Sequence, residues 1–282
     1  MAKRQINNKH KIGIIGVGFV GGALRRYLEA RGVKLFLFDK YKKIGSPEEV
    51  NKAEIIFICV PTPYSLKIGF DLRAVESAVA ILASPKVIVI KSSVILGTTE
   101  YLQKKYPEHK FLFNPEFLRE NFANYDMLHP DRQLVGFTGK SRKFAKIILG
   151  FLPKAKFAKS MPALEAEIVK YMANSFLAMR VVFANEFYDI CKKMGADYNQ
   201  VKQAVGFDPR IGHSHFDVTH DGYRGYGGSC FPKDVNAIIQ LASSKKLKAE
   251  LLTAMRGVNK KYLHQSGLNE EYFLTEQHKK KK

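Results

Sequence analysis

The sequence predicts an α/β protein, with a doubly wound parallel sheet in its N-terminal half and an all-α domain built on a long central helix after it. Three observations carry this reading. Short apolar runs alternate with helical segments as far as Thr138, the pattern of successive β-α-β units. The run EIIFICVP (residues 54–61) is apolar on both faces, as a central parallel strand must be. The segment from Leu164 to Gly195 holds no proline and reads as one helix, apolar on more than one side.

The elements follow in order. KIGIIG (residues 11–16) is a strand ending on glycine, and a helix continues through Leu28. VKLFLFD (33–39), EIIFICVP (54–61), KVIVIKS (86–92), KFLFN (110–114) and RQLVGFT (132–138) are the second to sixth strands, with a helix over residues 71–83. The pattern changes between Pro153 and Pro162, which places residues 1–160 in one domain and 161–282 in a second. In the second, Gly195 stops the long helix. Shorter helices are expected over residues 197–205 and 233–243, separated by a polar loop.

Bulk properties narrow the function. With 282 residues, 46% of them hydrophobic, the chain can bury a substantial core. No apolar run reaches the roughly 20 residues that span a bilayer, and the first eleven residues lack a signal-peptide core, so a cytoplasmic protein is expected. Three scattered cysteines make neither a disulfide framework nor a metal site, and no metal is expected. The net charge of +20 points to an anionic partner, yet the lysines are dispersed and no RNA- or DNA-reading motif appears. The scatter favours a lysine-rich solvated surface, and a nucleic-acid partner is not expected.

Gly16-Val17-Gly18-Phe19-Val20-Gly21 fits G-x-G-x-x-G between a strand and a helix, and Asp39 closes the next strand 18 residues after Gly21. In this setting the glycines allow a tight turn, close approach to a pyrophosphate and close helix–strand packing, while the helix N-terminus favours the phosphates. Asp39 can accept hydrogen bonds from ribose hydroxyls and would repel a 2′-phosphate, so NAD is the expected cofactor and the first domain is Rossmann-type. Lys40 and Lys42 partly offset that preference. VPTP, with Pro61 and Thr62, and KSSVILGTT, with Ser92 and Ser93, end parallel strands where such sheets bind ligands. Their hydroxyls serve equally well as helix caps.

NPEFLRE (114–120) places Glu116 and Glu120 on one face if it forms a helical turn, an arrangement suited to acid–base work. Lys170 and Asn174 stand one turn apart on the long helix and could polarise a substrate oxygen; a lone lysine is more often simply solvated. Cys59 and Cys191 read as packing. Cys230, in GYGGSCFPKD (225–234), precedes Pro232 and so lies near a helix N-terminus, where that charge and Lys233 favour the thiolate. Gly227 and Gly228 leave backbone bare for a ligand, and Asp234 stands four residues on as a candidate base.

Together GIIGVGFVG, VPTP, KSSVILGTT, NPEFLRE, AEIVKYMAN, DPRIG and GYGGSCFPKD resemble the UDP-glucose/GDP-mannose dehydrogenase family from Lys11 to about Asn259. The resemblance implies NAD-dependent oxidation of a nucleotide-sugar C6 alcohol to a carboxylate in two steps, with UDP-glucose the leading substrate. It makes Cys230 the nucleophile, Lys170 and Asn174 the oxyanion partners, Asp234 the activator of water or thiol, and Glu116 and Glu120 aids to proton transfer, beside Ser93. It assigns cofactor contacts to Gly16, Gly18, Phe19, Val20, Gly21, Asp39, Lys40, Pro61, Thr62, Ser92, Glu120 and Lys233. Substrate contacts fall to Phe117, Leu118, Lys170, Asn174, Arg210, Tyr226 and Gly227, with Arg210 reaching a neighbouring subunit of a homodimer formed through the long helix. The chain departs from the family at Ser93 (usually Thr), at Asn121 (usually Gly), and in the loop 213–224, where an expected substrate lysine is missing. The family's usual third domain is also expected to be absent. The competing expectations are a two-electron 3-hydroxyacid-type dehydrogenase, which has a similar Lys-x-x-x-Asn helix and needs no cysteine, and a catalytically silent NAD-binding homologue.

Overall fold

The structure, a computed structural model, describes residues 10–119 and 122–279. The chain divides into two compact units: one holds the residues up to Thr62 and Asp71–Lys170, the other Pro63–Phe70 and the chain from Tyr171 onward.

The first unit is an eight-stranded sheet. Its strands are β1 (Ile12–Ile15), β2 (Leu35–Asp39), β3 (Ile44–Gly45) and β4 (Ile55–Ile58), then, after the hairpin β5 (Tyr64–Ser65) and β6 (Gly69–Phe70) of the second unit, β7 (Val87–Ile90), β8 (Lys110–Phe113), β9 (Arg132–Phe137) and β10 (Phe157–Pro162). The order across the sheet is β10-β9-β8-β7-β4-β1-β2-β3. The five central strands are parallel, with Ile14 between Leu37 and Phe57, and Val89 between Phe57 and Leu112.

The double-sided apolar strands are explained by two cores. Ile14, Phe57, Val89 and Leu112 face one core, with Leu24 and Leu28 of helix α1 (Phe19–Glu29). Ile56, Ile58, Ile88 and Ile90 face the other, beyond the short helix α2 (Pro47–Val50), with Val75 and Val79 of α3 (Arg73–Ala80) and Leu102 of α4 (Thr98–Lys105). Helices α5 (Ala123–Leu128) and α6 (Ala145–Phe151) cover the remaining edge of the first core.

Two corrections to the sequence reading concern this sheet. The sixth strand, β9, runs antiparallel to β8, and β3 runs antiparallel to β2, so the sheet is mixed at its ends. The alternation of apolar residues reads the same in either direction and does not encode strand polarity. β10 went unread because its residues are exposed or half-buried and lack a core-facing run, as an edge strand can.

The second unit is helical. α7 (Ala163–Met194) starts in the first unit and continues into the second, and Gly195, at φ +73°, ends it. Then come α8 (Tyr198–Gly206), capped by the Asp197 carboxylate on Asn199 N–H at 2.8 Å, the small pair β11 (Thr219–His220) and β12 (Tyr223–Arg224), and helices α9 (Phe231–Ser244), α10 (Glu250–Gln265) and α11 (Glu270–Lys279). Ala178 and Val182 of α7 pack with Tyr226, Val235, Met255 and Tyr262. The hairpin β5–β6 joins this unit through Tyr64, which is buried and whose hydroxyl donates to Gln240 Oε1 at 3.2 Å. Among the described residues no helix is long and apolar enough to cross a membrane.

Candidate active site

The glycine turn after β1 has the geometry its motif predicts. Gly16 sits at φ +88°, and a Cβ there would lie 2.8 Å from the Cys59 backbone. A Cβ on Gly21 would overlap the Gly16 carbonyl oxygen, so the third glycine brings α1 onto the strand. Gly18 differs: it precedes α1, and a Cβ there meets nothing within 4 Å. That open cradle at a helix N-terminus fits a pyrophosphate. Phe19 is exposed and Val20 half-buried beside it.

Asp39 is drawn into the same turn. Its Oδ2 accepts from Val17 N–H at 2.7 Å, and its Oδ1 accepts from the N–H groups of Tyr41 (3.1 Å) and Lys42 (3.0 Å). Lys42 closes the circuit, its Nζ donating to the Val17 carbonyl at 2.8 Å, while Lys40 is exposed.

At the carboxyl ends of β4 and β7, the hydroxyls fasten loop to loop. Thr62 Oγ1 donates to the Ser93 carbonyl, and Ser92 Oγ donates to the Val60 carbonyl at 2.6 Å. Thr62 and Ser92 are buried, and Ser93 is half-buried. Cys59 lies just past the end of β4 rather than within the strand; burial pushes its thiol up to about 12. Pro61, which follows Val60, is exposed.

The segment after β8 corrects one expectation. Residues 114–119 are not helical, so the shared face proposed for Glu116 and Glu120 does not form through them, and Glu120 and Asn121 lie outside the described residues. Glu116 instead turns its Oε2 back to accept from Leu118 N–H at 3.1 Å. Lys170 is not the solvated lysine its type suggests. It is 6% exposed, and its Nζ donates to the Glu116 carbonyl at 2.7 Å and stands 3.9 Å from Glu116 Oε1. Phe117 lies 5.5 Å under that ammonium and 3.9 Å under the Arg132 guanidinium, while Leu118 packs on the first core.

Sequence reasoning missed Lys91. It is buried at the end of β7, and its Nζ donates to Asn114 Oδ1 at 2.7 Å, while Asn114 Nδ2 donates to the Leu134 carbonyl at 2.8 Å. Burial holds its ammonium below the usual lysine range, with the Glu116 carboxylate opposing that shift. The signal was available: a lysine directly after four apolar residues of a doubly covered strand has little access to water.

In the second unit, Cys230 is the exposed N-cap of α9, with Pro232 in the first turn. The next turn is buried and fully wired. Asp234 is 1% exposed; its Oδ1 accepts from Lys233 Nζ at 2.7 Å and its Oδ2 from Asn174 Nδ2 at 2.6 Å. The Lys233 ammonium also lies 4.9 Å from the Phe70 ring centroid of the hairpin. α7 thus supplies an amide to the N-terminal turn of α9, one helical turn beyond Lys170.

The glycines before Cys230 require a second correction. Gly227 is not bare backbone for a ligand: a Cβ there would collide with Tyr223 Oη and come 2.5 Å from Phe273 Cζ. Gly228, at φ +71°, does face open space. Tyr226 is buried in the core, its N–H donating to Asn259 Oδ1 at 2.7 Å, and its hydroxyl has no partner among the described residues. Arg210 projects into solvent, paired with the Asp208 carboxylate two residues before it at 2.6 Å. Among the described residues no group of three or more His, Cys, Asp or Glu could hold a metal ion.

The first unit has the architecture and glycine turn of an NAD-dependent dehydrogenase. Models of the UDP-glucose/GDP-mannose dehydrogenase family match the chain twice, the NAD binding domain over residues 42–149 and the central domain over residues 164–261. The chain belongs to that family, and NAD is the cofactor of its first domain. YtcA of Bacillus subtilis (strain 168) is 34% identical over 88% of this chain and 67% of its own length. The UDP-glucose 6-dehydrogenase TuaD of the same organism is 37% identical over 76% of this chain and 48% of its own, and that of Rickettsia prowazekii (strain Madrid E) is 37% identical over 78% and 52%. The chain therefore spans about half the length of the latter two relatives.

Among solved structures, a UDP-glucose dehydrogenase from Pyrobaculum islandicum superposes with a TM-score of 0.81 at 29% identity, over 92% of this chain and 69% of that one. A 3-hydroxyisobutyrate dehydrogenase from Mycobacterium tuberculosis shares the fold alone, with a TM-score of 0.70 at 15% identity over 94% of this chain and 98% of that one.

Proposed function

We propose that this chain oxidises the C6 alcohol of a nucleotide sugar, UDP-glucose first among the candidates, to the uronic acid with two equivalents of NAD. The observation that carries the reading is an exposed thiol, Cys230, capping the helix whose next turn holds the buried Asn174–Asp234–Lys233 network. The relatives' names supply the substrate class.

Bound NAD serves as the hydride acceptor for each oxidation. The first oxidation converts the alcohol to the aldehyde. Cys230 Sγ then adds to the aldehyde carbon to form a thiohemiacetal, and loss of the second hydride with the hydroxyl proton leaves a thioester. Water attacks the thioester carbonyl, the C–S bond breaks, and the acid leaves as the thiol is restored. Asn174 keeps one amide hydrogen beyond the one Asp234 accepts, and that hydrogen, with Lys170 one turn earlier on α7, is assigned to the oxygen that gains charge. Asp234, with both carboxylate oxygens engaged, is assigned first to orienting Asn174 and Lys233, and Glu116 to proton transfer. The active form is proposed to be a homodimer through α7, on which Met172, Phe176, Phe183, Phe187, Ile190 and Met194 are each 42% to 77% exposed in the single chain.

The test is an NADH-formation screen over UDP-glucose, UDP-GlcNAc, UDP-ManNAc and GDP-mannose. Two NADH per sugar oxidised is the expected result. One NADH per substrate supports a two-electron hydroxyacid-type reaction instead. NAD binding with no NADH from any substrate would make the chain a silent homologue.

A further inference from the structure

The loop after Arg210 holds no lysine that meets the expectation of a substrate-binding cation, yet it is built with unusual care. Arg180, on α7, clamps it: Nη1 donates to the Ile211 carbonyl at 2.7 Å, Nη2 to the Gly212 carbonyl at 2.8 Å, and the guanidinium lies 4.6 Å over the Phe216 ring. Between these anchors His215 adopts φ +64°, in the left-handed region that costs a non-glycine residue about 1 kcal/mol or more. Its ring packs against Phe231, the residue that follows Cys230, with centroids 5.7 Å apart. Its Nδ1 is buried with no hydrogen-bond partner among the described residues. Strain and an unsatisfied polar atom on one side chain, both beside the helix turn that carries the thiol, are the kind of cost that persists where a ligand repays it.

We infer that His215 reads a hydroxyl of the bound sugar, its Nδ1 gaining there a hydrogen bond that no described protein atom supplies. This inference rests on the nucleotide-sugar reading above. A hydroxyl is favoured over a phosphate oxygen because burial, with Arg180 and His220 adding to it, holds the imidazole below its usual range and hence neutral near pH 7. A neutral nitrogen donates or accepts, and a hydroxyl answers either role, whereas a phosphate oxygen only accepts. Arg180 acts through His215, as the residue that positions the loop.

Three variants separate recognition from structure. His215→Gly removes the ring but suits a positive φ, so it relieves strain. His215→Phe keeps the ring packing and removes both nitrogens. His215→Asn tolerates φ > 0 and returns an amide near the place of Nδ1. With the best nucleotide sugar of the screen, Gly and Phe should each raise KM about tenfold, the scale of one lost hydrogen bond, with kcat changed far less. Asn should recover most of that loss. Calorimetric titration of the sugar nucleotide should show the same order. If the wild type turns over and His215→Gly and His215→Phe match its KM, His215 reads nothing and the inference falls alone. Failure of His215→Asn to recover binding overturns it as well. If the wild type neither binds nor oxidises any nucleotide sugar, the functional reading falls and takes this one with it.

Discussion

The chain contains two glycine-rich turns that each lead into a helix, and they use glycine for different ends. In the turn before α1, Gly16 and Gly21 meet neighbouring backbone, while Gly18 opens onto empty space. In the turn before α9, Gly225 lies against Asn259 Oδ1 (2.5 Å from a Cβ) and Gly227 against Tyr223 and Phe273, so these two glycines let the turn pack onto α10 and α11; only Gly228 faces outward. The first turn exposes backbone to a ligand. The second packs Gly225 and Gly227 against neighbouring side chains, and a side chain, Cys230, is held out. A motif dense in glycine therefore does not announce a backbone-binding site; what a Cβ would meet decides it.

The largest effect expected from this contrast is on chemistry. Cys230→Ser should lower acid formation by roughly a thousandfold or more, the scale on which covalent catalysis fails without its nucleophile. NAD affinity should be unchanged, because the thiol belongs to the other turn. Product analysis alongside NAD titration checks both halves, and normal acid output from the serine variant would end the assignment of Cys230.

Next in size are the packing glycines. Gly227→Ala puts a methyl group against Phe273 Cζ and Tyr223 Oη and should destabilise the fold by about 1–3 kcal/mol, as overpacking does. Gly18→Ala should do the reverse of this pattern. Its Cβ would meet no protein atom within 4 Å, so stability should fall by less than in Gly227→Ala. NAD affinity should nevertheless fall, because the methyl group takes the ligand's space. Thermal unfolding with and without NAD reads both variants. A destabilised Gly18→Ala that still binds NAD normally would erase the distinction between the turns.

The contrast also shows where sequence reading ran out. The dinucleotide turn was legible because its constraints are local: strand, turn, helix and Asp39 lie within one β-α-β unit. The role of Gly227 was not, because the ring that forbids a Cβ there is Phe273, far along the chain. The same limit hid the hairpin at residues 63–70, whose Tyr64 finds its partner at Gln240, and the burial of Lys170, whose partner is Glu116, and of Lys233, whose ammonium lies over Phe70. The position of Cys230 at the start of α9 was readable from Pro232, a local signal. Polar side chains that fold inward against their type, Lys91 on Asn114 among them, are where composition misleads most.

The smallest effect concerns acid. His109 in the first unit and His215 in the second are both held below the ordinary 6.5, mainly through burial. A lowered folded pKa means the unfolded chain takes up a proton first, so each contributes stability that is complete above pH 6.5 and is lost as pH falls through the folded value. The two differ in what protonation breaks. His109 is 2% exposed and its Nδ1 accepts from Lys86 N–H at 3.1 Å, a bond that a proton on Nδ1 would abolish. His215 is only half-buried, and its Nδ1 has no bond to lose. Acid sensitivity between pH 7 and 5 should therefore drop more in His109→Gln than in His215→Asn, measured as the change in unfolding free energy across that range. The opposite order would mean that the strained loop beside Cys230, and not the start of β8, is where this protein first yields to protons.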